Sequence, residues 1–242
     1  MSGGNAAASL IAMNGLYSLK PWYARRLARA RRALVRHHVS PDALTWTGVA
    51  LGAAAGTVLA VAASGVLAAL PVAALLAARL ACANLDGGVA RDTGRSTRFG
   101  AVTNELGDRV ADLVALAGLA FVAPWWLVAT AGLAATLPSW AALAGAAVGA
   151  PRVQGGPVGK TERCALLVIA AATGWYVPVL ALLVIGSVAT AGLRLVRIRA
   201  VLAADPAAAV RAGDAALADR RTDGSGSSTS DRKSPATPVM SR

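Results

Sequence analysis

Charged residues are scarce in this 242-residue chain. Only 15% of the residues are Asp, Glu, Lys or Arg and 5% are aromatic, while 56% are hydrophobic. Soluble globular domains usually carry about 25% charged residues, so this composition argues against a water-soluble domain. A wholly disordered chain is excluded as well, because the abundant apolar residues can bury enough surface to offset the entropy of ordering. The composition therefore indicates a membrane protein.

Cysteine and histidine are also rare, with two residues of each type. Cys82 and Cys164 lie in apolar runs, whereas His37 and His38 stand together in a basic stretch. Neither a disulfide framework nor a thiolate zinc site is supported by this distribution. The net charge of +12 would suit a nucleic acid or an anionic lipid surface, and the positions of the charges decide between the two.

Three long runs, at 43–78, 113–151 and 165–193, contain no charged residue. Each is longer than the roughly 20 residues that cross a bilayer as a helix, so each run must fold back. Helix breakers mark the turns at Ser64-Gly65, at Pro124 and between Gly174 and Pro178. The sequence therefore predicts an all-α membrane protein with six transmembrane helices, at about 43–63, 66–90, 99–122, 125–149, 160–175 and 178–199.

Basic residues gather in every second connection between these helices. They precede the first span, lie between the second and third and between the fourth and fifth, and end the sixth: Lys20 to Arg36, Arg91 to Arg98, Arg152 to Arg163, and Arg194 to Arg199. Because Lys and Arg concentrate on the cytoplasmic side, both termini and these loops are predicted to be cytoplasmic. The same distribution argues against a nucleic-acid binder, which would cluster its basic residues in a soluble domain.

The two ends of the chain differ from the membrane domain at 43–200. In the N-terminal segment, 1–42, Trp22, Leu27, Leu34 and Val35 alternate with arginines, which predicts a basic amphipathic helix at the membrane surface. Positive-inside anchoring alone explains the same pattern equally well. Residues 201–242 become rich in Ala, Asp and Arg and then in Gly and Ser, which predicts a disordered cytoplasmic tail.

Apart from Glu162, which opens the fifth predicted helix, four acidic residues lie within the predicted spans: Asp86, Glu105, Asp108 and Asp112. Ionisable groups inside spans are costly and usually functional, and these four flank one short cytoplasmic loop. Glu105, Asp108 and Asp112 share one helix face, and Asn104 begins an overlapping stripe on that helix. Asp86 can face this wall from the preceding span. Oxygen ligands without His or Cys favour a hard cation, Mg²⁺ or Mn²⁺, which usually also binds phosphate.

One segment resembles a known family signature. Asp86-Gly87-Gly88-Val89-Ala90-Arg91, eight residues, Gly100, seven residues and Asp108 resemble the D-x-x-D-G-x-x-A-R-x8-G-x-x-x-D-x-x-x-D motif of the CDP-alcohol phosphotransferases. The six spans, the basic lead-in helix and the Ser40 to Thr45 entry extend the resemblance over about residues 16–200. The segments 97–102 and 108–112 look most like actinobacterial phosphatidylinositol-phosphate and phosphatidylglycerophosphate synthases.

The resemblance implies a transfer reaction in phospholipid biosynthesis. An acceptor hydroxyl attacks the phosphorus of a CDP-alcohol, with CDP-diacylglycerol as the expected donor, and CMP leaves. Two divalent ions would hold the pyrophosphate. The metal ligands would come from Asp86, Asn104, Glu105, Asp108 and Asp112, with Asp108 also as general base. The CDP moiety would lie against Asp86, Gly87, Ala90, Arg91 and Gly100.

The chain departs from the signature at two acidic positions. Ala83 stands at the first and Asn104 at the third, and Glu105, adjacent to the third, is expected to compensate. Asn84 lies next to Ala83 but points about 100° away around an ideal helix. The alternative is a catalytically silent paralogue that binds a CDP-lipid or a metal and assists a partner synthase. A transporter is disfavoured, because its carboxylates would lie nearer mid-membrane and in matching halves.

The acceptor site is expected to be basic. The stretch Ala141 to Gly145 lacks the basic cluster found in inositol-phosphate enzymes, which argues against that acceptor. A pocket for a phosphorylated polyol is predicted from four cations, Arg152, Lys160, Arg163 and Arg194, although anchoring explains Arg152 and Arg194 equally well. A lipid hydroxyl is the other acceptor class. Small residues along the spans would also permit a homodimer.

Overall fold

The computed structural model describes residues 27–204, and all regular secondary structure within this range is helical. We number its α-helices α1 to α7 in chain order. They are α1 (Ala28–Arg36), α2 (Pro41–Val61), α3 (Val66–Asp92), α4 (Arg98–Ala117), α5 (Trp125–Ala147), α6 (Lys160–Thr173) and α7 (Tyr176–Ala204), with a 3₁₀-helix at Gly118–Phe121 after α4. The predictions for Trp22 and for residues 205–242 lie outside the described residues.

Local sequence signals fix several helix ends. The Ser40 side chain accepts a hydrogen bond from the Ala43 backbone N–H at 3.1 Å, and Pro41 occupies the first turn of α2. Thr97 caps α4 in the same way, with the Gly100 N–H as donor at 2.9 Å. Gly174 ends α6 with φ = 71°, a left-handed conformation that glycine adopts without a Cβ clash.

Helices α2 to α7 fall at the six predicted positions, with two differences in extent. The third predicted helix, 99–122, is α-helical only to Ala117 and continues as the 3₁₀-helix. The last helix runs to Ala204 rather than 199, past the predicted domain boundary at 200. The residues after Arg199 are Ala, Val and Leu, and the alanines and leucine are good helix formers, so nothing local ends the helix there.

Four helices, α2, α3, α5 and α7, are long and apolar enough to cross a membrane. Helix α4 carries too many charges to meet the same criterion, and α6 has only 14 residues. Fourteen residues span about 21 Å, less than the roughly 30 Å of a bilayer core. The structure therefore supports a multi-pass membrane protein, and the count of six spans stays a prediction.

The apolar core is shared by helices α2 to α7 and the 3₁₀-helix. Its buried side chains include Leu59, Val72, Leu76, Leu119, Leu167, Leu180 and Leu183. Glycines bring α2 especially close to α4. A Cβ on Gly52 would lie 2.6 Å from the Ala111 carbonyl oxygen, and one on Gly118 would lie 1.9 Å from the Gly56 oxygen. Small residues of this kind let membrane helices approach closely.

The two ends of α3 meet different neighbours. Near its start, the Gly65 N–H donates to the Ala171 oxygen at 2.8 Å, which joins the turn before α3 to the end of α6. At its other end, Asp92 pairs with Arg31 of α1 at 2.9 Å. Leu27, just before α1, and Leu34 and Val35 of α1 pack against Leu44, Leu85 and Val89. A helix is thus present within the predicted basic segment, at Ala28–Arg36, with these apolar residues packed on the protein, and its place at the membrane surface stays a prediction.

Candidate functional site

Asp86 of α3 and Asp108 of α4 line the same narrow cavity. The cavity lies between α2, α3 and α4, has a volume of about 10 Å³, and is also lined by Thr45, Gly48 and Ala83. Asp86 is only 3% exposed. Its carboxylate accepts hydrogen bonds from the Thr45 hydroxyl at 3.1 Å and from the Gly87 N–H at 2.6 Å. The helices thus bring together two of the predicted site carboxylates.

The acidic face of α4 is paired with the basic segment that leads into α6. Glu105 pairs with Arg152, Asp108 with Lys160, and Asp112 with Arg163, the last at 2.6 Å. Residues three and four apart occupy one side of a helix, so the three acids form a single row. We call these three contacts the acid–base row. Glu105 also pairs with Arg109 on its own helix.

Arg79 of α3 joins this row from the other side. Its side chain is 1% exposed, and its Nη2 lies 2.6 Å from Asp112 Oδ1. The same nitrogen donates to the backbone oxygen of Asp108 at 3.0 Å and lies 3.9 Å from Asp108 Oδ1. Asp112 is therefore held between two buried guanidinium groups, those of Arg79 and Arg163.

The five predicted metal ligands do not assemble into one cluster. Within residues 27–204, no group of three His, Cys, Asp or Glu residues could hold a metal ion. Glu105 faces two arginines and Asp112 faces three, and Asn104 is not among the residues that line the cavity. The physical reason is that α3, α6 and the segment before α6 bring cations to the α4 carboxylates. Of the five residues, Asp86 and Asp108 line the cavity between α2, α3 and α4, and the ligand set stays a prediction.

The four predicted acceptor-binding cations do not form one pocket either. Arg152, Lys160 and Arg163 belong to the acid–base row. Arg194 instead donates to two backbone oxygens, Gly155 at 3.0 Å and Pro138 at 2.6 Å. It thereby fixes the segment between α5 and α6 to α7.

Comparison with known proteins identifies the fold. No protein-family model matches the chain. It is 30% identical to the inner membrane protein YnbA of Escherichia coli (strain K12) over 151 residues, which cover 61% of this chain and 74% of YnbA. Its fold resembles Mycobacterium tuberculosis phosphatidylinositol phosphate synthase (PgsA1) in complex with manganese and citrate. That match has a TM-score of 0.56 and 22% identity, and covers 70% of this chain and 87% of PgsA1.

PgsA1 with CDP-DAG bound gives a TM-score of 0.54 at 22% identity, over 74% of this chain and 94% of that one. The chain is thus a relative of YnbA, and its fold is that of PgsA1, a member of the CDP-alcohol phosphotransferase family. The family signature occupies the end of α3 and the first half of α4, so the fold places its two retained acids, Asp86 and Asp108, across one cavity.

The predicted CDP-binding residues lie at the end of α3 and at the start of α4. Gly87 and Ala90 are half-buried near the end of α3, Arg91 is exposed, and Gly100 lies in the first turn of α4. A Cβ on the neighbouring Gly88 would lie 2.8 Å from the Arg31 side chain, so α1 packs directly against the signature segment.

Two side chains that shape this site, Thr45 and Arg79, are not among the predicted site residues. Thr45, which donates to Asp86, lies in the entry segment to α2 that carries part of the family resemblance. Arg79 lies at the end of an otherwise uncharged run, and a cation there points to a buried partner or to the interface. The sequence alone does not say which carboxylate Arg79 meets.

Proposed function

We propose that this protein transfers a phospho-alcohol group from a CDP-alcohol to a hydroxyl acceptor and releases CMP. The observation that carries the proposal is the shared cavity of Asp86 and Asp108, the two acids retained from the family signature. CDP-diacylglycerol is the proposed donor, because PgsA1 was solved with CDP-DAG bound and this chain has four apolar helices to accommodate lipid. The product would then be a phospholipid.

Asp108 is the proposed general base. Its Oδ2 is paired with Lys160, and its Oδ1 lies on the Arg79 side. A carboxylate within hydrogen-bond reach of the acceptor hydroxyl can take its proton as the hydroxyl oxygen attacks phosphorus. The phosphorus–oxygen bond to CMP breaks in the same displacement, and its electron pair leaves with CMP. The cations around Asp108 orient this carboxylate.

Carboxylate oxygens suit a hard divalent cation, so Asp86 and Asp108 fit Mg²⁺ or Mn²⁺. Such an ion would neutralise charge on the pyrophosphate of the CDP-alcohol. Asp86 is preorganised for this role, since Thr45 and the Gly87 N–H fix its carboxylate. The remaining predicted ligands, Asn104, Glu105 and Asp112, would support the site through the α4 helix rather than bind the ion.

The proposed acceptor is a phosphorylated polyol, with a lipid hydroxyl as the second class. Arg152 and Lys160 are the most accessible cations of the acid–base row, with side chains 47% and 26% exposed. An anionic acceptor would replace the α4 acid as the partner of either cation. Every basic loop lies on one predicted side, so the active site and both termini are proposed to be cytoplasmic.

A CMP-release assay tests this function. Purified protein would be offered CDP-diacylglycerol with glycerol 3-phosphate, inositol phosphate, phosphatidylglycerol or serine, each with Mg²⁺ and with Mn²⁺. Asp108→Asn should lower CMP release about 10²–10⁴-fold, the usual cost of losing a general base, and weaken CDP binding less. Asp92→Asn is the matched control, because Asp92 pairs with Arg31 outside the cavity.

The second candidate is a silent paralogue that binds a CDP-lipid without transferring it. Ala83 and Asn104 favour it, since two signature acids are absent. If wild-type protein binds CDP-diacylglycerol but releases no CMP with any acceptor, while a related synthase is active under the same conditions, the transfer function is refuted and the paralogue is supported.

A further inference from the structure

Asp86 is a buried carboxylate without a positive partner. It is 3% exposed, and within residues 27–204 no Lys or Arg nitrogen lies within 4.0 Å of its carboxylate. Its two hydrogen bonds, from Thr45 and Gly87, come from neutral donors. A buried charge without a counter-charge is unfavourable, and buried carboxylates are usually paired or bind metals. Asp86 therefore marks a place for a cation.

The ligands for a second cation are missing from the same cavity. Ala83 lines the cavity at the first signature position and offers no oxygen from its side chain. Both carboxylate oxygens of Glu105 and of Asp112 are in close contact with an arginine. A divalent ion drawn to either carboxylate would have to displace cations that are already in contact with it. Asp108 differs, because only its Oδ2 is in close contact with a cation and Arg79 lies 3.9 Å from its Oδ1.

Positive charge already occupies the other side of the cavity. Lys160 Nζ contacts Asp108 Oδ2, and Arg79 Nη2 lies 3.9 Å from Asp108 Oδ1. Lys160 is thus placed beside the carboxylate that faces Asp86 across the cavity. An ammonium group attracts phosphate oxygens as a point charge and needs no carboxylate cluster to hold it.

We propose that this protein binds a single divalent cation between Asp86 and Asp108, and that Lys160 supplies the positive charge that a second ion provides in the two-ion arrangement implied by the family signature. The proposal deepens the proposed function and rests on it. The net charge at the cavity is then positive, because one divalent ion and Lys160 together outweigh two carboxylates. A positive cavity can receive a pyrophosphate. Two divalent ions would require the carboxylates that are absent at Ala83 and Asn104.

Counting bound Mn²⁺ tests the proposal. The full chain in nanodiscs of neutral lipid would be dialysed against Mn²⁺ and CDP, with empty nanodiscs as the blank. The excess Mn²⁺ at saturation should be one ion per chain, and Asp86→Asn should remove it. A count of two, or of zero, in the wild-type protein would overturn the proposal.

Two variants test why the count is one. Ala83→Asp/Asn104→Asp restores both signature acids and should raise the count to two, whereas a folded double variant that still holds one ion would contradict the argument. Lys160→Met removes the competitor for Asp108 and should tighten Mn²⁺ binding several-fold. Unchanged or weaker binding in Lys160→Met would show that Lys160 does not take the place of an ion. The wild-type count and Lys160→Met decide the question even if the double variant does not fold.

The count does not depend on turnover. One bound Mn²⁺ without CMP release in the assay above would refute the proposed function and support the single-ion site. CMP release with two bound ions would support the function and overturn the single-ion site.

Discussion

Arg79 and Arg152 both pair with acids of α4, but their surroundings differ. Arg79 is 1% exposed and contacts Asp112 and Asp108, whereas the side chain of Arg152 is 47% exposed and contacts Glu105. Removing one partner of a buried pair leaves an uncompensated charge and typically costs about 3–5 kcal/mol. An exposed pair contributes only about 0–1 kcal/mol.

We therefore expect Arg79→Met to lower the free energy of unfolding by about 3–5 kcal/mol and Arg152→Met by less than about 1 kcal/mol. Unfolding of the detergent-solubilised protein by titration with a denaturing detergent measures both. Equal losses in the two variants would show that burial of Arg79 does not determine its contribution.

The two carboxylates that line the cavity were predictable from the sequence, but the cations that pair with the α4 acids were not. Asp86 and Asp108 were predicted from charge in an apolar span and from the signature spacing, and the structure brings them to one cavity. Glu105 was expected to act as a substitute ligand. Helix periodicity places Glu105 on one face of α4 but does not show which side chains pack against that face. Arg109 and Arg152 meet Glu105 because of how three separate segments pack.

At the scale of helices, the contact between α2 and α4 depends on glycine. A Cβ on Gly52 would lie 2.6 Å from the Ala111 oxygen, while the nearest atom to a Cβ on Gly48, one turn earlier, is 3.6 Å away. Ala at 52 must push two backbones apart, and overpacking of this kind costs about 1–3 kcal/mol. Ala at 48 makes ordinary contacts.

Gly52→Ala should consequently reduce the thermal stability of the solubilised protein, and Gly48→Ala should change it little. Size-exclusion chromatography after heating reports the folded fraction of each variant. A comparable loss in both would indicate that α2 and α4 can separate without cost, contrary to the close approach seen here.

Helix ends were predictable where a local signal exists. Ser40, Thr97 and Gly174 each stop or start a helix through their own side chain or backbone. The change from α-helix to 3₁₀-helix after Ala117 and the extension of α7 to Ala204 have no such signal. They depend on packing and on continued helix propensity, which a search for breakers does not detect.

For the molecule as a whole, the basic loops predict one orientation in the membrane. Ser64, between α2 and α3, and Ser96, between α3 and α4, are both exposed and lie beyond opposite ends of α3. In a background without Cys82 and Cys164, a cysteine at position 64 should react with an impermeant thiol reagent outside intact cells. A cysteine at position 96 should react only after lysis. The reverse pattern would invert the proposed topology and place the candidate site outside.

The length of α7 bears on how deep in a membrane the segment that carries Arg152 would lie. Its 29 residues extend about 43 Å, roughly 13 Å more than the hydrocarbon core of a bilayer. Near the end of this helix, Arg194 holds the Gly155 oxygen and Arg197 the Gln154 oxygen. We therefore expect the end of α7 to hold this loop at the level of the lipid headgroups. At that depth the proposed water-soluble acceptor would stay in water and the proposed lipid donor in the bilayer while the two react.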